Sequence, residues 1–426
     1  MIMILKFLIG LSIIVVVHEL GHFFAARFFG IKVEKFYLFF NPYFSLFKYK
    51  SKKSDTEYGI GWLPLGGFVK IAGMIDESMD SEQMFQPAQP WELRSKPVWQ
   101  RIIVLSGGVI LNFILGILLL WIISINDTYI PNEQLKDGIY AYSIGRDLGF
   151  QTGDKILEYN GKKLDNFSEI SPISLYKGIF KVERQDKIVD IVISDKYSFQ
   201  DLLNSRFILG AFNYKPIIDI SFSDDATFFK NDLILKINNE AINSFGELQE
   251  TLTKYSPGSS VIVTILREES EIDKVIVLNE YGQLGVSIKS PVQLEYYGVI
   301  SGLKYGIKRS YEFLYSNSIG LYLLIRGKIG RENLSGPIGI AQIYGSDTDV
   351  YKFIYITAIL SLIIGMMNIL PIPGLDGGHI FIDLVEVIFG RKIPIKIAEI
   401  IQMIGIGLII LLILFASYND IYKLFI

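Results

Sequence analysis

Residues Ile2–Phe29 read IMILKFLIGLSIIVVVHELGHFFAARFF, and positions 18–22 of that run are HELGH. The segment is apolar enough to enter a bilayer, yet it carries three ionisable side chains within five residues. On a helix, residues i and i+4 stack on one face, so His18 and His22 can offer two imidazoles to one metal ion. Glu19 adjoins the first of them, where a carboxylate can take a proton from a metal-activated water. Such groups are expensive in hydrocarbon and mark a functional site that faces a cavity. HExxH also arises by chance on soluble helices, where it binds nothing. Here the chain has only three histidines, two of them in this motif, and the third, His379, interrupts another apolar region. Chance would not concentrate scarce metal-binding residues where burying them costs most.

The chain has 426 residues, enough for two or three domains. Half of it is hydrophobic, with a mean hydropathy of +0.36, high for a soluble protein. A net charge of −3 gives no support to nucleic-acid binding. With no cysteine, any metal must be held by imidazole and carboxylate, which suits a catalytic zinc site better than a closed structural one. Four runs approach the roughly 20 residues that a bilayer demands, at about 2–29, 102–125, 352–370 and 397–416. The first resembles a signal peptide, but no small-x-small cleavage site follows, so it is read as retained. Residues 30–101 carry ten lysines and arginines, and Arg391, Lys392 and Lys396 follow the third run. The positive-inside bias puts these loops in the cytoplasm, with both termini and the long insert outside, on the periplasmic side in a bacterium.

Further along, EYGIGWLPLGGFVKIAGM (57–74) reads as a β-hairpin turning at Gly66 and Gly67, apolar enough to dip into the membrane edge. Its strand edge could pair with an extended peptide, or the hairpin could be a plain surface feature. The second run opens with SGGVILNF (106–113), where Gly107 and Gly108 permit close helix approach and Asn112 needs a polar partner or lines the site. Residues 130–289 are soluble in character and repeat internally. GDKILEYNGKKLDNFSEI (153–170) returns 78 residues later as NDLILKINNEAINSFGEL (231–248), each unit reading strand, turn, strand, helix. This resembles a tandem of PDZ domains, and the resemblance implies peptide capture, with a spacer or steric lid as the alternative. The second copy departs from it by carrying Asn231 where a glycine is usual. Residues 290–350 begin with an amphipathic, tyrosine-rich stretch that reads as interfacial, bracing the bundle rather than crossing it.

The third run ends in MNILPIPGLDGGHIFIDLVE (367–386). Pro371 and Pro373 interrupt the helix, and glycines permit a tight turn. Asp376 ranks first as third metal ligand; His379 is the rival, otherwise standing behind the ligands. Asn368 and the unwound backbone after it could hold substrate, and Asp383 and Glu386 fit a solvated face.

Taken together, HELGHF, the GWLPLGGFVK hairpin, the paired repeat, LSGPIGIA (334–341) and NILPIPGLDGGH (368–379) resemble the site-2 protease family, most of all its regulator of sigma-E protease branch. That resemblance implies a polytopic α-helical membrane protein with four transmembrane helices, a membrane-associated β-hairpin and two inserted α+β PDZ domains. It would divide into 1–129, 130–200, 201–289, 290–350 and 351–426. By the same resemblance His18, His22 and Asp376 bind one zinc ion and Glu19 is the catalytic base. Asn368, Pro371, Pro373, Gly66 and Gly67 would handle substrate, with Asn112 and His379 behind the ligands. It further implies a bacterial inner-membrane enzyme that cuts single-pass membrane proteins, among them anti-sigma factors already cut outside and signal-peptide remnants. A non-catalytic scaffold and a metal or proton transporter are the competing classes. The first predicts no zinc, and the second predicts paired pseudo-symmetric spans, which the four runs do not show.

Overall fold

The computed structural model describes residues 2–52, 54–74, 86–170, 174–193, 196–197, 201–202, 205, 207–211, 213–222, 227–291, 294–327, 335–391 and 393–423. Leu334 and Lys392 lie outside them. The chain divides into two units, 1–127 with 297–426, and 128–296.

The first unit is helical: α1 (Ile2–Phe28), α2 (Val98–Ser124), α3 (Gly298–Ile325), α4 (Pro337–Tyr344), α5 (Val350–Asn368), α6 (Asp376–Phe389) and α7 (Ile395–Lys423). By length and composition α1, α2, α5 and α7 can each cross a membrane. They correspond to the four expected runs, with α2 starting earlier and α7 running on to Lys423. The contact of α1 with α2 is through small residues, as expected where lipid is as apolar as leucine. Gly21 of α1 lies against Gly107 of α2 so closely that a Cβ on Gly21 would stand 2.1 Å from the Gly107 carbonyl oxygen. On the other side of α2, Leu120 and Ile123 pack with Ala358 and Leu362 of α5, and Ser361 Oγ donates to the Asn112 carbonyl at 2.8 Å. The amphipathic helix α3 braces α2, with Trp121 Nε1 donating to the Val299 carbonyl at 2.9 Å.

Between α1 and α2 run strands β1 (Val33–Lys50) and β2 (Glu57–Ile71). The expected turn at Gly66 and Gly67 is corrected here: both lie within β2, and the partner strand is the aromatic stretch before it. Both strands double back. Phe36 and Leu38 pair with Val69 and Gly67 on one side and with Tyr58 and Ile60 on the other, and Phe47–Lys50 pair with Ile60–Glu57. The strand is broad because Gly59 and Gly61 admit the Tyr37 ring and the Phe40 carbonyl, contacts that a Cβ would forbid. Its base is anchored by Val33, Val69 and Ile71 packed with Ala26, Leu93, Val104 and Leu105. Its far end bares Tyr43, Phe44, Leu46 and Phe47.

The second unit holds two lobes built alike. Each has a four-stranded antiparallel sheet: Lys162–Lys163, Lys155–Tyr159, Gly178–Arg184, Lys187–Ile193 in one, and Glu240–Ala241, Leu233–Ile237, Ser260–Arg267, Ser270–Val277 in the other. The sequence repeat has a direct structural counterpart. Asp154 and Asp232 are buried carboxylates gripped by Arg184 and Arg267 through paired bonds of 2.6–2.8 Å. Asn160 and Asn238 sit at positive φ and accept the Ile179 and Ile262 amides. Asn231 adopts φ +73°, a conformation asparagine tolerates, so it does the backbone work of its counterpart Gly153. The helical part differs between copies: Phe245–Leu252 is a full helix, Phe167–Glu169 one short 3-10 turn. Leu202 and Ile208 belong to the first lobe's core, so that lobe extends past residue 200. The lobes meet where Tyr140 and Tyr142 donate to Glu250 and Gln249 at 2.7 and 2.6 Å.

Candidate metal centre

The uniform apolar sequence of α1 makes its helix, and the i, i+4 spacing stacks His18 and His22 with ring centroids 4.8 Å apart. Both are buried, with their Nε2 atoms 3.2 Å apart. The other nitrogen of each ring is engaged by α2. His22 Nδ1 lies 2.9 Å from the Val104 carbonyl, which can only accept, so Nδ1 carries the proton and Nε2 presents a lone pair. His18 Nδ1 lies 3.1 Å from the Asn112 side-chain amide. The Asn112 amide oxygen is otherwise buried without a partner. Turning that amide over points its oxygen at His18 Nδ1–H and gives His18 the same tautomer.

Asp376 is delivered from the opposite side by the start of α6. The link 369–375 is a series of tight turns rather than a strand. Gly374 at φ +91° allows the last of them. Asp376 Oδ2 stands 3.1 Å from His18 Nε2 and 3.4 Å from His22 Nε2. Although those distances suit ion pairs, Oδ2 is enclosed and accepts no hydrogen bond. The three atoms converge on a common point rather than on one another. A tetrahedral zinc with ligands at about 2.0–2.1 Å spaces its donors roughly 3.3 Å apart, so these residues fit such an ion. Gly108 leaves the needed room: a Cβ there would stand 2.5 Å from His22 Nε2 and 2.6 Å from His18 Nε2.

A cavity of about 460 Å³ opens on the cluster, and Glu19, Asn368 and His379 line it together with the three donors. His379 is not one of the converging donors; its ring faces Gln402 Nε2 at 3.1 and 3.3 Å. Pro371 and Pro373 stand in the link rather than in the cavity wall. Gly66 and Gly67 stand beside the wall; a Cβ on Gly67 would meet Val15 at 3.3 Å, one turn before His18. The wall itself includes Phe40, Asn41, Pro42 and Phe68 from the two strands. The first three carry no metal-like or catalytic pattern in the sequence. A second cavity, of about 450 Å³, shares His379 and Met74 with the first. Here the solvated face expected for Asp383 and Glu386 is corrected: they pair with Arg101 of α2 at 3.1 and 3.0 Å, all three largely buried. Their partner lies 282 and 285 positions away, beyond any local pattern.

Apolar helices of spanning length around a buried cluster of two imidazoles and a carboxylate, open to a cavity, fit a membrane metalloendopeptidase of the site-2 protease kind. Residues 6–412 match the model of Peptidase family M50, and the chain belongs to that family. It is similar over nearly its whole length to bacterial relatives. The regulator of sigma E protease of Haemophilus influenzae is 28% identical over 452 residues, covering 98% of each chain. The regulator of sigma-E protease RseP of Salmonella typhimurium is 27% identical over 452 residues, again 98% of each. Protease RseP of Yersinia pestis is 26% identical over 451 residues, with the same coverage.

Proposed function

We propose that the chain is a zinc-dependent intramembrane endopeptidase that hydrolyses peptide bonds in the spans of single-pass membrane proteins. The observation that carries this reading is the approach of His18 Nε2, His22 Nε2 and Asp376 Oδ2 to within 3.1–3.4 Å of one another. One zinc ion per chain, held by those three residues, would supply Lewis-acid polarisation of the scissile carbonyl and acidify a water molecule. Glu19, in the wall of the same cavity, takes the proton of the attacking water onto a carboxylate oxygen and returns it to the departing amine nitrogen. Asn112 and the Val104 carbonyl hold the two imidazoles in the required tautomer.

A transmembrane helix hides its carbonyls in its own hydrogen bonds, and each one left unpaired at depth costs several kcal/mol. Substrate therefore unwinds before it is cut. The strand edge near Gly66 and Gly67, the Asn368 amide and the link through Pro371 and Pro373 offer replacement partners. The two lobes of the second unit are read as PDZ domains, working as peptide receptors or as a filter that excludes bulky outer domains. The lysine and arginine bias puts those lobes and both termini on the periplasmic side of a bacterial inner membrane, with the doubled strands and Asp376 toward the cytoplasm. The relatives named as regulators of sigma E point to a membrane-anchored anti-sigma factor, already cut outside, as one substrate; signal-peptide remnants are a second. The test is zinc content and cleavage of a tagged membrane peptide by the purified protein. Glu19→Gln should keep one zinc per chain and lose at least about 100-fold in rate. Equal cleavage by both proteins would overturn the assignment.

A further inference from the structure

We propose that Gln402 of α7 is a positioning residue for Asp376, holding the link that carries this carboxylate; the inference rests on the zinc-site reading above. Most of α7 presents apolar side chains outward, among them Ile400, Met403, Ile404, Leu408 and Leu411. Its buried residues are Gln402, Gly405, Ala416 and Asp420. A buried amide in an apolar span is costly unless it is paired. Gln402 is only 4% exposed, and both ends of its amide are used. Its Oε1 accepts the Gly374 N–H at 2.6 Å, and its Nε2 faces the His379 ring at 3.1 Å. Gly374 and His379 lie two residues before and three after Asp376.

The start of α6 packs against the link: a Cβ on Gly377 would stand 2.2 Å from the Leu370 carbonyl oxygen, and one on Gly378 2.4 Å from that of Ile372. The bonds that the link's backbone donates to other backbone are short-range, Ile369 to Gly365, Leu370 to Met367, Ile372 to Leu370 and Leu375 to Ile372. Gln402 adds a side-chain hydrogen bond to the link's backbone from a helix distant in sequence. One turn along the same face of α7, Gly405 rests on Pro373 so closely that a Cβ would stand 1.9 Å from the Pro373 carbonyl oxygen. Gln402 and Gly405 thus clasp Pro373 and Gly374 together. Because His18 and His22 are held by α2, Gln402 governs the one donor that approaches from the other side. Its loss should loosen Asp376 without touching the imidazoles.

The test uses full-length protein in detergent, comparing wild type with Gln402→Leu and Gln402→Glu. Zinc release to a chelator, kcat and KM for a membrane peptide, and hydrogen exchange across 369–379 are measured. Gln402→Leu keeps the side-chain volume but not the acceptor. It should release zinc about tenfold faster, the size expected for groups that orient a ligand. It should also lower kcat with little change in KM and speed exchange at Gly374. Gln402→Glu retains an oxygen for the Gly374 N–H and should restore zinc retention to within about threefold of wild type. A folded Gln402→Leu that holds zinc like wild type overturns the proposal. If the leucine variant does not fold, the glutamate variant decides: zinc release about tenfold faster than wild type overturns it too. Wild-type protein that retains no zinc removes the underlying site reading; a zinc-loaded wild type with an indifferent Gln402→Leu removes this inference alone.

Discussion

Adding one methyl group at Gly108 should empty the metal site. A Cβ at that position would stand 2.5 Å from His22 Nε2 and 2.6 Å from His18 Nε2, whereas ordinary contact begins near 3.4 Å. Each imidazole must then retreat by about 0.8–0.9 Å, four times the roughly 0.2 Å that metal–ligand distances tolerate. The helices have no inexpensive way to part, because Gly21 and Gly107 are in backbone contact just beside the site. With two of three donors displaced, zinc affinity should fall by at least about 100-fold, near 3 kcal/mol. Gly320→Ala on α3 is the control, since a Cβ there would meet nothing within 4 Å. The assay is chelator competition on purified protein, with circular dichroism to verify the helices. Gly108→Ala that binds zinc within threefold of wild type would refute both the three-donor site and the role of this glycine.

Asp376→Asn should leave the helices intact and release zinc faster than wild type in the same competition, because a neutral amide is a poorer ligand. A substrate span carrying helix-breaking residues should be cut faster than a helix-stabilised one; equal rates in a gel assay count against the unwinding step. Asp232 gives the pH prediction. Burial alone would raise its carboxyl, but the bonds from Arg267, the Phe229 amide and the Arg267 charge hold it below the usual carboxylate range. The stability it adds is therefore complete above that range and is lost as pH falls through the depressed folded value. Asp232→Asn should cost about 2 kcal/mol at neutral pH, since Arg267 is left partly buried, and less in acid. Hydrogen exchange over 227–267 at pH 7 and pH 3 measures both.

The spans were legible because length and apolarity suffice for them, and the repeat because its Asp, Asn and Ile positions return in register. His18, His22 and Asp376 could be singled out because ionisable groups at depth are rare. Gln402 breaks an apolar run in the same way, but it carries no charge and is not a usual metal ligand, so no sequence pattern singles it out. The folded-back strands were hidden for another reason. Gly66 and Gly67 carry turn chemistry, yet what they serve is close contact with Phe40 and the Tyr37 carbonyl, and no local pattern distinguishes the two uses. Asp383 and Glu386 misled in the opposite sense: their three-residue spacing suits a wet helix face, and only the arrival of Arg101 from α2 makes their burial tolerable.

The two sides of the centre are held by different means. On one side, α1 and α2 touch backbone to backbone, and Asn112 joins His18 to Ser361 through its side chain and carbonyl. Movement there would break these helix contacts. On the other side, Asp376 hangs on a turn-rich link between two helices, clasped by a peripheral span whose surface is largely apolar and exposed. On the proposed reading, a substrate that borrows hydrogen bonds while unwinding would compete with the link's turn bonds and the Gln402 contact rather than with the glycine contact of α1 and α2.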